Sequence, residues 1–200
     1  MSSTDKKIEK LLRRAGTTRS CELVSVGVTR SELSRMVAAA KLVRVARGIY
    51  ALPDYQIGEH GALVSVAQRA PSIVFCLLTA LRIHDLTTQA PFEVWIAISN
   101  KAHAPRMDYP TLRTMRFSDS SLASGVETRK IDGVTVRVTN VAKTVADCFK
   151  FRNKIGLDVA LEALREARRA KKASAEDLWR YAKVNRVTNV MRPYLEAMAA

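Results

Sequence analysis

Three cysteines, Cys21, Cys76 and Cys148, are too few and too scattered to staple a fold. None belongs to a CxxC pair, which disfavours a disulfide framework and a cysteine zinc site; reduced thiols inside a cell fit better. The three histidines, His60, His84 and His103, form no pair at zinc-binding spacing. Eight glycines include no phosphate-loop or dinucleotide fingerprint. Long apolar runs are missing too. The longest, "IVFCLLTAL" at residues 73 to 81, is far short of the ~20 residues that span a bilayer. The N-terminal "MSSTDKKIEKLLRRAG" is charged throughout and lacks the apolar stretch of a signal peptide. Glu93 precedes a strand pattern, but no second carboxylate and lysine follow at the spacing of a nuclease strand, and Asp108, Asp119 and Asp132 fall in expected turns. The expectation is a cytoplasmic protein with no catalytic residue, metal, cofactor or membrane partner, and a nuclease is the enzyme alternative.

What the sequence has is positive charge. Its 33 Lys and Arg face 19 Asp and Glu, a formal net charge of +14, and the pI is about 10.1. Such an imbalance favours polyanionic partners. At 200 residues, 48% of them hydrophobic, the chain can bury more than one core, so two units are expected, at 1–55 and 59–200. The Pro, Gly and turn formers of "PDYQIG", residues 53 to 58, suit the linker.

The first unit reads as three helices and a hairpin. Ile8, Leu11, Leu12 and Ala15 recur at helical spacing up to Gly16. A short helix from Arg19 or Ser20 carries Leu23, Val24 and Val26 inward and stops at Gly27. Thr29 and Glu32 then form a T-x-x-E capping box. Leu33, Met36, Val37 and Ala40 make the apolar stripe of this third helix, with Arg30, Ser31, Ser34 and Arg35 on its other face. "LVRVARGIYAL" alternates around Ala46, Arg47 and Gly48 as a hairpin. Helix-turn-helix followed by a hairpin is the order of a winged helix, whose second motif helix enters a major groove.

Residues 1 to 55 hold eleven Lys and Arg against five Asp and Glu. Arg30, Arg35, Lys41, Arg44 and Arg47 concentrate in the recognition helix and wing, where cations neutralise phosphates and release counterions. Arg30 and Ser31 sit at a helix N-terminus, which favours phosphate. Ser34 and Arg35 are placed to read base edges, and Arg47 to reach backbone or minor groove. The same pattern also fits a protein-interaction winged helix with a solvated basic face.

The second unit is expected to be mixed α/β, a small sheet flanked by helices. "HGALVSVAQRAP" reads as a helix broken at Pro71, and "SIVFCLLTALRIHDL" as a helix capped by Ser72. "FEVWIAIS", "TLRTMRFS" and "VTVRVT" read as strands, the last after an Asp132-Gly133 turn. Thr139 is expected to cap "NVAKTVADCFKFR", with Val141, Val145, Cys148 and Phe149 on its buried side. Helices follow over "LDVALEALREARRAKK", with Leu157, Ala160, Leu161 and Leu164 aligned, after the Ser174 to Asp177 cap, and around Pro193. Lys143 and Asp147 at i,i+4 fit a solvated ion pair; with Thr144, Lys150 and Arg152 they fit an interaction face equally well.

The arrangement resembles the AbiEi-type antitoxins of abortive-infection, type IV toxin–antitoxin systems. The resemblance lies in "LVRVARGIYAL", "LLTALRIHDLT" and above all "VTNVAKTVADCFKFRNKIGLDVALEALRE". It implies an N-terminal winged helix that represses its own operon from inverted repeats of double-stranded DNA. It also implies a larger C-terminal domain that opposes a nucleotidyltransferase-like toxin, without necessarily forming a stable complex, and assists DNA binding. DNA contacts would fall on Arg30, Ser31, Ser34, Arg35, Lys41, Arg44 and Arg47, and an antitoxin face on Lys143, Thr144, Asp147, Lys150 and Arg152. A monomer in solution would place two copies on DNA. The chain is short for that family, so no additional regulatory extension is expected. A transcription factor with no toxin partner shares every DNA feature.

Overall fold

The computed structural model describes residues 3–55, 60–89, 91–107 and 109–198. Residues 56–58 of the expected linker, the turn expected at Asp108, and the side chains of Ala15 and Ala46 lie outside what is described. The protein is α+β and divides into two compact units. One comprises Met1–Pro71 with Lys130–Val136, the other Ser72–Arg129 with Arg137–Ala200.

The first unit runs α1 (Ser3–Ala15), β1 (Thr17–Arg19), α2 (Ser20–Ser25), α3 (Arg30–Ala38), β2 (Val43–Ala46), β3 (Ile49–Ala51) and α4 (Gly61–Arg69). Its core is Ile8 and Leu12 of α1, Leu23, Val28, Leu33 and Leu42. The expected helices and hairpin are present, and a third strand joins them. β1 lies antiparallel to β3, Thr17 opposite Ala51, giving the order β1-β3-β2. With three residues directly after Gly16, β1 is too short to show a period of two. Gly16 has φ +67°, and a Cβ there would come within 2.9 Å of the Tyr55 ring, so glycine suits this sharp exit from α1.

Two apolar positions and the placement of one helix differ from expectation. Val24 is 43% exposed because six residues of α2 bury only Leu23. α3 ends at Ala38, and Ala40 adopts a left-handed φ of 53° outside the helix, exposed. α4, expected to open the second unit, packs in the first. The Thr17 hydroxyl donates to Gln68 Oε1 at 3.0 Å and Gln68 Nε2 donates to the Thr17 carbonyl at 2.7 Å, tying α4 to β1.

The second unit contributes β4 (Val74–Phe75), α5 (Leu77–Ile83), β5 (Val94–Ser99), β6 (Leu112–Phe117), α6 (Asp119–Ala123), α7 (Val141–Lys150), α8 (Arg152–Ile155), α9 (Leu157–Arg169), α10 (Ala175–Asn185) and α11 (Thr188–Ala197). Strands β7 (Val126–Ile131) and β8 (Val134–Thr139) form a hairpin at the Asp132-Gly133 turn, and their turn end is counted with the first unit. The five-stranded sheet has the order β6-β5-β4-β8-β7, with β4 antiparallel to β5 and parallel to β8, and β5 parallel to β6.

The single helix expected from Ser72 is instead a two-residue strand and a seven-residue helix, with Cys76 at the N-cap position. Val74 and Phe75 lie at the centre of the sheet, and an apolar run buried on all sides has no period to tell strand from helix. The cap of α7 is Asn140, not Thr139: Asn140 Oδ1 accepts from the Lys143 amide at 2.9 Å, while Thr139 ends β8. In α9 the buried line is Val159, Ala160, Ala163, Leu164 and Ala167; Leu157 is 38% exposed. The Ser174 cap is present, its hydroxyl accepting from the Asp177 amide at 3.0 Å.

Candidate nucleic-acid interface

The positions expected to meet DNA stand on α3, on the β2–β3 hairpin and, for Lys41, on the short connection between them. α3 starts where the sequence places it. The Thr29 hydroxyl accepts from the Glu32 amide at 3.2 Å, and the Glu32 carboxylate accepts from the Thr29 amide at 2.8 Å. These bonds stabilise the ionised carboxylate and hold Glu32 below its ordinary pKa, backbone bond first, then the Thr29 hydroxyl, with Arg35 adding attraction. The box thereby fixes the helix end from which Arg30 and Ser31 project.

Arg30, Ser31, Ser34, Arg35, Lys41, Arg44 and Arg47 are all exposed. Ser31 Oγ lies 3.0 Å from Thr29 Oγ1, within the cap itself. The Ser34 hydroxyl donates to the Arg30 carbonyl at 3.2 Å, which leaves its oxygen free to accept. The Arg35 side chain is 77% exposed and 4.0 Å from Glu32, a weak tether in water. Lys41 reaches back to Asp5 of α1 at 3.8 Å, so of the seven it is the one whose charge is partly answered from another element.

On the wing, Arg44 lies opposite Tyr50, and the register shifts between Arg44 and Ala46. Such a bulge bends the strand and sharpens its twist ahead of the turn. Gly48, at φ +75°, makes that turn and leaves Arg47 at its tip. The seven residues can supply phosphate contacts from cations and a helix N-terminus, and base-edge contacts from Ser34 and Arg35.

The polar cluster on α7 is a different object from the expected face. Lys143, Thr144 and Asp147 are each completely buried, and only Lys150 and Arg152 are half-buried at the margin. Lys143 Nζ pairs with Asp147 Oδ1 and lies 4.8 Å from the centre of the Phe117 ring. Asn185 donates to the same carboxylate at 2.7 Å, and Ser121 to Asn185 at 3.1 Å. Thr144 donates to the Thr139 carbonyl at 3.0 Å. A solvated ion pair and a docking face are both corrected at these three positions, because α5, α9 and α10 pack around α7. Asn185 and Ser121 complete the cluster from far along the chain, with no local signal to mark them.

Burial raises the Asp147 carboxyl above its ordinary pKa, against the pull of Lys143. It also pushes the Cys76 and Cys148 thiols well up, so neither is a ready nucleophile. His84 is buried too, its Nε2 2.6 Å from the Thr139 carbonyl. Among the described residues, no group of three or more His, Cys, Asp or Glu is placed to hold a metal, and no helix is long and apolar enough to cross a membrane.

Comparison with known proteins matches the first unit. The family model described as a transcriptional regulator, AbiEi antitoxin, covers residues 6–53, from α1 through the wing. No curated protein matches the sequence. The crystal structure of the RV2827C protein from Mycobacterium tuberculosis is similar in fold, with a TM-score of 0.57 at 12% identity over 92% of this chain and 72% of that one. The stretches at residues 77–87 and 138–166 that also carry the resemblance lie beyond the matched segment. The resemblance is borne out from α1 to the wing, where residues 6–53 match the family model of the AbiEi antitoxin transcriptional regulators.

Proposed function

We propose that this protein is a type IV antitoxin and autorepressor, without catalysis, that works in the cytoplasm. The winged helix within residues 1–55 acts as its DNA-binding module, and the second unit, Ser72–Arg129 with Arg137–Ala200, opposes a nucleotidyltransferase-like toxin. The observation that carries the DNA reading is the coincidence of two facts. The family segment is a winged helix, and seven polar or cationic side chains on its recognition helix and wing are exposed together. α3 enters the major groove of the operon's own promoter, Ser34 and Arg35 read bases, and Arg30, Ser31, Lys41, Arg44 and Arg47 hold phosphates. A monomer covers one half-site and two copies fill an inverted repeat.

The test is a gel-shift titration on the protein's own upstream DNA and on scrambled DNA, at two salt concentrations. Specific retardation in two steps is expected, followed by rescue of cells expressing the neighbouring toxin. Equal, salt-sensitive binding to both probes would reduce the surface to general polyanion affinity. A stand-alone regulator is the second reading, favoured by the end of the family match at residue 53. Specific DNA binding without toxin rescue would select it.

A further inference from the structure

Two aromatic side chains of the second unit stand outside any core. Phe92 is 101% exposed and Tyr109 76%, the highest values among the large hydrophobic side chains described. They sit on the segments leading into β5 and β6. Those segments are joined where the Val94 amide donates to the Thr111 carbonyl at 2.9 Å, and Val94 lies opposite Leu112 in the parallel register. Both aromatics therefore belong to the same, N-terminal end of one strand pair. One step in, Arg113 lies opposite Trp95 with its guanidinium 5.6 Å from a buried ring, which holds an exposed cation at that end. Arg106 is exposed on the same connection, and neither arginine enters an ion pair among the described residues.

Among the described residues Phe92 is fully exposed and Tyr109 largely so, although Phe is ordinarily among the most buried residues. A fitting ligand presents flat apolar faces and negative charge together. Between positions 91 and 113 the sequence places Lys101, His103, Arg106 and Arg113 against Glu93 and Asp108, in a chain of net charge +14. Unpaired nucleotides have both properties: every base offers a π-face, and phosphates flank it. Bases in a duplex hide their faces in the stack, so this surface does not suit double-stranded DNA. A protein partner would use the aromatics but would leave the cations unanswered unless it were acidic.

We propose that Phe92, Tyr109, Arg106 and Arg113 form a stacking site for single-stranded nucleic acid, separate from the winged helix and independent of the reading proposed for it. Fluorescence anisotropy of the full chain with a 12-nucleotide oligouridylate, an oligothymidylate and a blunt duplex tests it. The ribo- and deoxy-strands distinguish the two sources of unpaired bases.

Phe92→Ala or Tyr109→Ala should weaken single-strand binding by about 5- to 100-fold, Phe92→Trp should retain it, and duplex binding should be unchanged. The exposed positions make loss of folding an unsuitable explanation, which a thermal melt equal to wild type verifies. Absence of single-strand binding by the wild type, unchanged binding by the alanine variants, or equal loss on duplex would each overturn the proposal. So would concentration-dependent self-association that the alanine variants abolish while oligonucleotide binding persists.

Discussion

Lys143 and Asp147, one turn apart on α7, form an ion pair with both side chains wholly removed from water. The Lys143 ammonium faces the Phe117 ring and the Asn185 amide donates to the same Asp147 oxygen, while Asp147 Oδ2 is buried with no hydrogen-bond partner among the described residues. In low dielectric such a pair is held mainly by the cost of breaking it, since either charge left alone is strongly penalised.

Lys143→Met is therefore expected to destabilise the protein by about 3–5 kcal/mol, and adding Asp147→Leu should recover most of that loss. Urea unfolding followed by circular dichroism measures both. A single variant within about 1 kcal/mol of wild type would mean that water reaches the pair.

His84 gives the expected pH dependence. Burial lowers its pKa below the ordinary value, partly offset by the bond to the Thr139 carbonyl, while Arg129 and Lys172 oppose further positive charge. The unfolded chain then binds the proton more readily than the folded one. Stability from this group is complete above the unfolded pKa of about 6.5 and declines as pH falls toward the lower folded value. Thermal melts from pH 7.5 downward should show that decline, and His84→Gln should flatten it between pH 7 and the folded pKa. Equal slopes in the two proteins would remove His84 as the cause.

Thr29→Ala should cost about 1 kcal/mol by removing the acceptor for the Glu32 amide, and Thr29→Ser should cost much less. Because α3 has only nine residues, the same variant should weaken DNA binding through fraying of its first turn. Denaturation midpoints and gel shifts, read together, check whether the two losses move in step.

Arg35 and Arg47 are expected to fail in different ways. Arg35→Ala should cost about 1–3 kcal/mol against the preferred half-site and relax preference at one base position. Arg47→Ala should weaken binding to all sequences alike and lower the slope of log K against log salt by about 1. Titrations on matched and single-substituted sites at several salt concentrations separate these outcomes. Unchanged sequence preference in Arg35→Ala would move base readout elsewhere on α3.

Most of the first unit is legible in its local sequence. The capping box of Thr29 and Glu32, the apolar spacing of Ile8, Leu12 and Leu33, and the Arg47-Gly48 turn act within four or five residues, where local sequence is sufficient cause. β1 is not legible, because three residues after a glycine carry no periodic signal. β7 is hidden for another reason: "VETRKI" has no deeply buried residue and so shows little apolar alternation.

On α3 the candidate DNA surface is legible for the same local reason, since Arg30, Ser31, Ser34 and Arg35 lie opposite an apolar stripe and are exposed; on β2, Val43 and Val45 are exposed beside Arg44, so alternation does not mark the wing's outer face. Phe92 and Tyr109 carry no such signal: Phe92 reads as the opening residue of the strand that begins at Val94, and an aromatic is ordinarily read as core.

What the sequence by itself determined is the winged-helix order, the charge that suits it to a polyanion, and the absence of zinc or nucleotide motifs. Only the tertiary structure decided the fate of Lys143, Thr144 and Asp147. Their spacing along α7 is that of a solvated face. Burial depends on what arrives from elsewhere: Phe117, Ser121 and Asn185 come from three other elements, and no rule that reads neighbours along the chain can place them.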